Sequence, residues 1–257
     1  MKDLSTNWKG KKLEPLHLSL SGDYSFTNYG YSILRNDLDE HKGLYINFTE
    51  IIQYRIQEYR GIDSSNLVLE NYHTYMQEKN IDHHNFIKKS SRNVSDDLLD
   101  NNFILSLIEK TSDSFKQKFK LYKNKIEYRV VRPSKEDNNP LHRDHWFPYF
   151  NNLINIYLPI CGSWNNSSLS IVPGSHNWDD KDVTPTFTYG EQKKTVKNGV
   201  SYSVPKIKKT TKEINIHRPD IISGDFMIFS PRLIHGGASN GSDQTRFSLE
   251  LRLTIDE

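Results

Sequence analysis

The sequence predicts an α+β protein in which a helical N-terminal half supports a β-rich C-terminal half. Up to residue 123, apolar residues recur at helical spacing, most clearly in residues 45–60 and 96–122. From residue 124 onward, short runs rich in β-branched and aromatic residues alternate with Gly, Pro and Asn. Strands of this length and number predict an antiparallel sandwich or barrel, packed against the helices.

The second predicted helix has a recognisable start. Ser95 precedes Asp96 and Asp97, which predicts an N-cap followed by acidic residues in the first turn. Half of the ten histidines belong to this helical part, and we expect them at its surface: His17, His41, His73, His83 and His84.

Six strands are predicted in the C-terminal half, at 126–133, 153–160, 168–174, 214–219, 225–231 and 246–255. Residues 177–212 interrupt them with a polar, Lys-rich excursion that contains the turn signal Lys197-Asn198-Gly199 and predicts a hairpin. Its lysines indicate a solvated surface first, and a mobile lid over an acidic substrate second. The chain has no internal repeat or flexible linker. We therefore expect a single domain, with helical support at 1–123 and the β core at 124–257.

Composition narrows the class of protein. The 257 residues can bury a sizeable core, and 34 basic against 32 acidic residues give no reason to expect nucleic acid or a membrane surface as partner. Cys161 is the only cysteine, which excludes an intrachain disulfide and a thiolate zinc site. No segment has the apolar length of a signal peptide or a bilayer span, so the expected location is the cytoplasm.

The stretch LHRDHW at 141–146 carries the highest density of chemically active side chains. Its HRD also opens the catalytic loop of protein kinases, but that loop requires an Asn where this chain has Tyr149. The first 140 residues also contain no Gly-rich phosphate loop. The kinase hypothesis is therefore rejected.

Metal binding is the stronger interpretation of this stretch. Alternate side chains of an extended segment share a face, so His142 and Asp144 would point one way while Arg143 and His145 point the other. Such a pair can grip one ion, although His-x-Asp also occurs by chance. With a second histidine, the set suits non-haem Fe(II) and leaves coordination positions open.

The third ligand must come from elsewhere in the chain, and His235 is the best placed histidine. It ends the predicted strand run GDFMIFSPRLIHGG, and the two glycines after it leave room for a ligand near the backbone. His217, in a predicted strand, is the second choice. His176 follows the turn VPGS and is a weaker one.

The run RFSLELRLT alternates strictly between polar and apolar residues. One interpretation is a strand with its polar side in water. The other places the apolar face under the helices and the polar face inside a barrel mouth. Arg246 could then bind a carboxylate through two parallel hydrogen bonds, with Ser248 as a further donor and Arg252 as the alternative anchor.

Four motifs in order make the chain resemble the Fe(II)/2-oxoglutarate-dependent dioxygenases, and among them the phytanoyl-CoA dioxygenase-like family. They are HRD at 142–144, NNSSLSIVPGSH at 165–176, GDFMIFSPRLIHGG at 224–237 and RFS at 246–248. Each is weak alone, and their order makes the match fairly specific. The resemblance covers roughly residues 124–255, whereas the N-terminal half matches only as generic helical support.

This resemblance implies a double-stranded β-helix, the cupin-like jelly-roll, with iron near one mouth. By position, His142, Asp144 and His235 would be the catalytic iron ligands. Because Asp144 occupies a position where related halogenases have a small residue, the resemblance disfavours halogenation.

The resemblance also implies the cofactors Fe(II), 2-oxoglutarate and O2. Arg246 and Ser248 would bind the distal carboxylate of 2-oxoglutarate, and Tyr157 falls where relatives have a contacting aromatic residue. Hydroxylation with release of succinate and CO2 is the expected reaction, and desaturation or ring formation is the alternative.

Four residues are weaker candidates for substrate binding: Arg132, His145, Trp146 and His176. An ordinary salt bridge for Arg132, a surface position for His145, a core position for Trp146 and a structural turn at His176 are the competing interpretations. The expected partner is a small molecule, such as an amino acid derivative, a sugar or a natural-product intermediate, with an anionic group as one option. The sequence leaves the substrate and the oligomeric state open.

Two other functions compete with the oxygenase. One is a non-catalytic jelly-roll that binds a metal or ligand. Such a binding module would not need the three metal-ligand candidates together with Arg246 and Ser248. The other is a cupin-like isomerase, which would leave Arg246 without a role.

Overall fold

The computed structural model describes residues 24–35, 37–135, 137, 139–164, 166–191, 195–197, 200–202, 204–236 and 239–256. Within these ranges the helices are α1 (Tyr24–Tyr29), α2 (Leu38–Arg60), α3 (Tyr72–Glu78), α4 (His83–Leu98) and α5 (Asn102–Phe115). Short 3-10 helices cover Leu69–Asn71, Asp144–Trp146, Pro148–Phe150 and Ser175–Asn177. No helix in this described part has both the length and the apolarity to cross a membrane.

The strands of the same ranges are β1 (Tyr31–Leu34), β2 (Phe119–Val131), β3 (Ile154–Cys161), β4 (Ser170–Val172), β5 (Val183–Pro185), β6 (Thr195–Lys197), β7 (Val200–Tyr202), β8 (Ile207–Thr210), β9 (Phe226–Phe229), β10 (Ile234–Gly236) and β11 (Arg246–Ile255). Five of them form an antiparallel sheet in the order β1-β9-β3-β11-β2. Three smaller pairs accompany it: β10 with β4, β5 with β8 and β6 with β7.

The large sheet has one apolar face and one largely polar face, as the alternation in β11 predicts. Phe247, Leu249, Leu251 and Leu253 join the main core with residues of α2, α4 and α5. The opposite face of β3 and β9 packs against β4 through a second cluster that contains Tyr157, Ile171 and Phe229. Burial of each large apolar side chain contributes roughly 1.5–3 kcal/mol. The helices therefore support the sheet from one side and leave its polar side facing inward.

The predicted helix over 96–122 is wrong in its limits. Ser95 lies inside α4, where its hydroxyl accepts a hydrogen bond from the Ile126 amide at 3.0 Å. The actual N-cap is Asn101, which accepts from the Phe103 amide at 3.0 Å. Asn side chains compete for backbone hydrogen bonds and so favour a break followed by a new helix start. The chain then enters β2 at Phe119, earlier than the expected change at residue 124.

Two further expectations need correction. β1 lies in the half predicted to be helical and pairs with β9 at the edge of the large sheet. Residues 214–219 do not form a strand; His217 only bridges Ile171, through two backbone hydrogen bonds of 2.8 Å. The hairpin predicted near residue 198 is present as the β6–β7 pair.

The histidines of the helical half are not all on the surface. His41 is buried, and its Nε2 contacts the Pro159 carbonyl at 3.1 Å, which links α2 to β3. His83 is also buried, against Tyr72. His73 is half-buried beside Thr245, and His17 lies outside the described residues.

The contact between the sheet and its supporting helices generates a stability prediction. Phe247 is 0% exposed and packs edge-to-face on Phe48 and Tyr72, with ring centroids 5.7 and 5.3 Å away. Phe247→Ala should lower the free energy of unfolding by about 3–5 kcal/mol, because it opens a cavity between layers. Tyr54→Ala, at a site that is 59% exposed, is the matched control and should change it by less than about 0.5 kcal/mol. Equal losses in denaturant titrations would contradict this packing.

Candidate active site

A backbone bridge brings the two ends of the predicted metal motif together. The amides of His142 and His235 each donate to the other residue's carbonyl, at 2.9 and 3.0 Å. Asp144 follows at the start of a 3-10 turn, so the extended segment expected for the motif ends at Arg143. His142 and Asp144 nevertheless share one side, as predicted.

Gly236 explains how the bridge can form. A Cβ at this position would lie 2.7 Å from the Pro140 carbonyl oxygen and 2.9 Å from the Cα of Leu141. The missing side chain therefore admits the 140–141 backbone, not a ligand as the sequence suggested. The second glycine of that pair, Gly237, lies outside the described residues.

The three side chains converge in a buried position. Asp144 Oδ1 lies 3.3 Å from His142 Nε2 and 3.8 Å from His235 Nε2. All three ligand atoms lie within 4.8 Å of one another, and the residues are only 4%, 3% and 7% exposed in chain order. A single ion can therefore contact all three atoms.

The remaining ring nitrogens determine which tautomer the histidines adopt. His142 Nδ1 lies 2.8 Å from the Pro140 carbonyl, and His235 Nδ1 lies 2.9 Å from the Leu233 carbonyl. A carbonyl only accepts, so each Nδ1 carries the proton and donates it. Burial and the neighbouring His142 lower the pKa of His235 to about 4, which keeps its ring neutral. Both Nε2 lone pairs are thus directed at the shared position.

Asp144 supplies the negative charge of the cluster. Burial opposes ionisation, but the guanidinium of Arg252 holds the pKa of Asp144 well below its usual range. Two lone pairs and a carboxylate oxygen, all buried and facing each other, repel unless a cation lies between them. Two imidazoles and one carboxylate suit Fe(II), so the residues fit the implied metal.

A second group of metal-ligand types lies among the described residues, formed by His83, His84 and Asp137. Arg132 occupies both oxygens of Asp137, at 2.7 and 2.9 Å, and Tyr72 engages His83 Nδ1 at 3.0 Å. His83 Nε2 also lies 4.0 Å from Asp137 Oδ2, which ties α4 to the loop before His142. The group therefore has a structural role.

Arg246 and Ser248 lie on the inner side of β11, as predicted. Arg246 is 2% exposed, and one of its terminal nitrogens donates to the Ser167 carbonyl. Its Nε and the Ser248 hydroxyl have no hydrogen-bond partner, and no carboxylate of the described chain forms an ion pair with Arg246. Burial and the charge of Arg246 lower the pKa of Arg218, so two cations lie at this end. A buried, uncompensated guanidinium fits an anionic ligand such as 2-oxoglutarate.

Tyr157 is fully buried on the inner face of β3. Its hydroxyl lies 3.0 Å from that of Ser163. Contact between Tyr157 and 2-oxoglutarate stays a prediction.

The four weaker substrate candidates have other partners. Arg132 is engaged by Asp137, which favours the salt-bridge alternative for that residue. His145 Nε2 lies 2.9 Å from Asp180, and His176 Nε2 lies 3.0 Å from the Thr27 carbonyl. Trp146 packs on the small cluster around Ile234. None of these four joins the triad.

The structure gives Arg252 a contact that the sequence did not predict, and it adds Asn155 as a functional candidate that sequence reasoning did not identify. Arg252 and Asn155 both contact the second oxygen of Asp144. Strand alternation places Arg252 on the same face as Arg246, and that was the available signal. The contact between Arg252 and Asp144 depends on packing between segments that are distant in the chain, and the alternation within one strand cannot predict it.

A cavity of about 740 Å³ adjoins the triad and Arg246. Its wall includes an aromatic group made of Phe147, Tyr149 and Phe150. The excursion reaches this wall through Val204, and the ring of Tyr189 lies 5.8 Å from that of Tyr149. The cavity can hold an organic molecule next to the metal position.

Several solved structures resemble the chain in fold. The chain is similar to EctD from S. alaskensis, solved with 2-oxoglutarate and 5-hydroxyectoine (TM-score 0.54, 12% identity, 94% of this chain and 81% of that one). It is also similar to the non-haem α-ketoglutarate-dependent carbocyclase SnoK from nogalamycin biosynthesis (0.51, 12%, 95% and 85%). The epimerase SnoN, solved with Fe3+, α-ketoglutarate and nogalamycin RO, is a third (0.51, 14%, 93% and 83%). These likenesses show a shared fold and confirm the predicted jelly-roll.

No curated protein sequence matches the chain significantly. The sequence profile described as phytanoyl-CoA dioxygenase (PhyH) matches residues 28–248, which extends the resemblance into the helical half. The recognised cofactors of this family are iron and 2-oxoglutarate. Iron agrees with the two histidines and one carboxylate of the triad, and 2-oxoglutarate agrees with the buried guanidinium of Arg246. The chain therefore belongs to the phytanoyl-CoA dioxygenase family of non-haem iron, 2-oxoglutarate-dependent oxygenases.

Proposed function

We propose that this oxygenase hydroxylates a small molecule and releases succinate and CO2. The convergence of His142 Nε2, Asp144 Oδ1 and His235 Nε2 on one buried position carries the proposal. Both histidines are held in the tautomer that leaves Nε2 free to ligate.

These three residues would hold the iron. Bound iron supplies the oxidation of a substrate C–H bond by O2, coupled to decarboxylation of 2-oxoglutarate. The carbonyls of Pro140 and Leu233 orient the imidazole rings, and burial keeps bulk water away from the ligands.

Arg246 would bind the distal carboxylate of 2-oxoglutarate. Its Nε and the Ser248 hydroxyl are buried donors without partners, and a carboxylate would satisfy both. Tyr157 lies on the same inner face of the neighbouring strand, where it would border the co-substrate.

The cavity supports a small-molecule substrate. Sites for such ligands commonly enclose roughly 300–1,000 Å³, and the volume of about 740 Å³ beside the triad falls in this range. EctD and SnoN were solved with small organic molecules, which supports an amino acid derivative or a natural-product intermediate; a sugar is the remaining class. The aromatic group Phe147, Tyr149 and Phe150 would pack against its apolar part.

Loss of a metal ligand tests the triad. His142→Ala should weaken Fe(II) binding by more than about 100-fold, because losing a direct ligand should exceed the roughly 10–100-fold cost of losing an outer partner. His217→Ala removes an exposed histidine outside the triad and should leave the affinity unchanged. Anaerobic competition with a chelator measures both variants, and circular dichroism reports whether they are folded. Full Fe(II) affinity in a folded His142→Ala would reject this ligand assignment.

Replacement of Arg246 tests the co-substrate anchor. Arg246→Ala should weaken 2-oxoglutarate binding to the Fe(II)-loaded protein by at least about 30-fold, since truncating a buried charge partner costs roughly 2 kcal/mol or more. Arg246→Lys keeps the charge but loses the planar guanidinium, so its affinity for 2-oxoglutarate should lie between those of the wild type and Arg246→Ala. Anaerobic calorimetry measures the three dissociation constants. An unchanged value for Arg246→Ala would move the anchor to another residue.

A further inference from the structure

Alternating charges line the inner faces of β2 and β11 and end at the metal motif. Arg252 lies 3.1 Å from Asp144 and 3.5 Å from Glu127, and Arg129 lies 3.4 Å from Glu127 and 3.0 Å from Glu250. We call this row the charge ladder, and its members are Asp144, Arg252, Glu127, Arg129 and Glu250. Each charge lies next to one of opposite sign. No member of the row is therefore buried without a partner, which would carry a large desolvation penalty.

The two carboxylate oxygens of Asp144 have different neighbours. Oδ2 accepts hydrogen bonds from Arg252 Nη2 at 3.1 Å, from Arg252 Nε at 3.3 Å and from Asn155 Nδ2 at 3.1 Å. Oδ1 faces the histidine Nε2 atoms instead. Three donors on one oxygen leave only the other available to a metal.

Arg252 is itself held in place. Its guanidinium carbon lies over the ring of Phe150, 4.4 Å from the centroid, and Glu127 contacts it from β2. The side chain is 17% exposed. An arginine fixed by a stacked ring and by two carboxylates loses little further freedom when it orients one of them.

We propose that Arg252, assisted by Asn155, is a positioning residue that makes Asp144 a one-oxygen ligand. This inference rests on the proposed iron ligation by the triad. A carboxylate that bound through both oxygens would take one of the positions that two histidines and one carboxylate leave open. By holding Oδ2, Arg252 keeps that position available to 2-oxoglutarate.

The test compares two ladder arginines in Co(II)-loaded protein. Arg252→Gln removes two of the three donors to Oδ2, so the visible ligand-field spectrum of Co(II) should change and 2-oxoglutarate binding should weaken about 10-fold, within the range for outer partners of a metal site. Arg129→Gln removes a guanidinium of the same ladder that does not contact Asp144, and its spectrum should superimpose on the wild type. Arg252→Lys restores one donor and should return the spectrum part of the way.

Asn155→Ser provides a second route if Arg252→Gln does not fold. It removes a neutral donor from the same oxygen and should shift the Co(II) spectrum in the same direction by a smaller amount. Wild-type spectra and 2-oxoglutarate affinity in whichever of these two variants folds would overturn the positioning role alone. Failure of the wild type to bind Co(II) or Fe(II) would overturn the proposed function, and this inference with it.

Discussion

The active site depends on the backbone bridge between His142 and His235. These residues are far apart in the chain, and their two reciprocal hydrogen bonds bring both imidazoles to one place. Gly236 permits the close approach of the 140–141 backbone. Pairing with β4 keeps β10, the strand that carries His235, in position. The helices also contribute to the site, because they pack against the apolar face of β11 and so leave its polar face directed toward the triad.

Electrostatics then define what the bridge can hold. The triad concentrates electron-rich atoms in a buried space, while the neighbouring β11 residues Arg246 and Arg252 are cationic. Arg252 is matched by Asp144, whereas Arg246 has no carboxylate partner in the described part of the chain. One end of the site therefore suits a cation and the other suits an anion, which is the pairing that iron and a dicarboxylate require.

Local patterns predicted much of this arrangement. Period-two alternation correctly oriented β11, and the position of His235 at the end of its predicted strand run favoured a histidine that the structure places beside His142 and Asp144. Features set by long-range packing were not predicted. They include the burial of His41 against the Pro159 carbonyl and the contact of Arg252 with Asp144. In each case the partner comes from a segment whose proximity no local pattern encodes.

The most direct test of the account is an anaerobic titration of the Fe(II)-loaded protein with 2-oxoglutarate, followed by visible spectroscopy. A keto acid that chelates iron in this site should produce a weak charge-transfer band in the wild type, and the band should be absent in His235→Ala. A wild-type protein that binds Fe(II) but shows no band at saturating 2-oxoglutarate would contradict the central claim, that the bridged triad and Arg246 form one site for iron and its co-substrate.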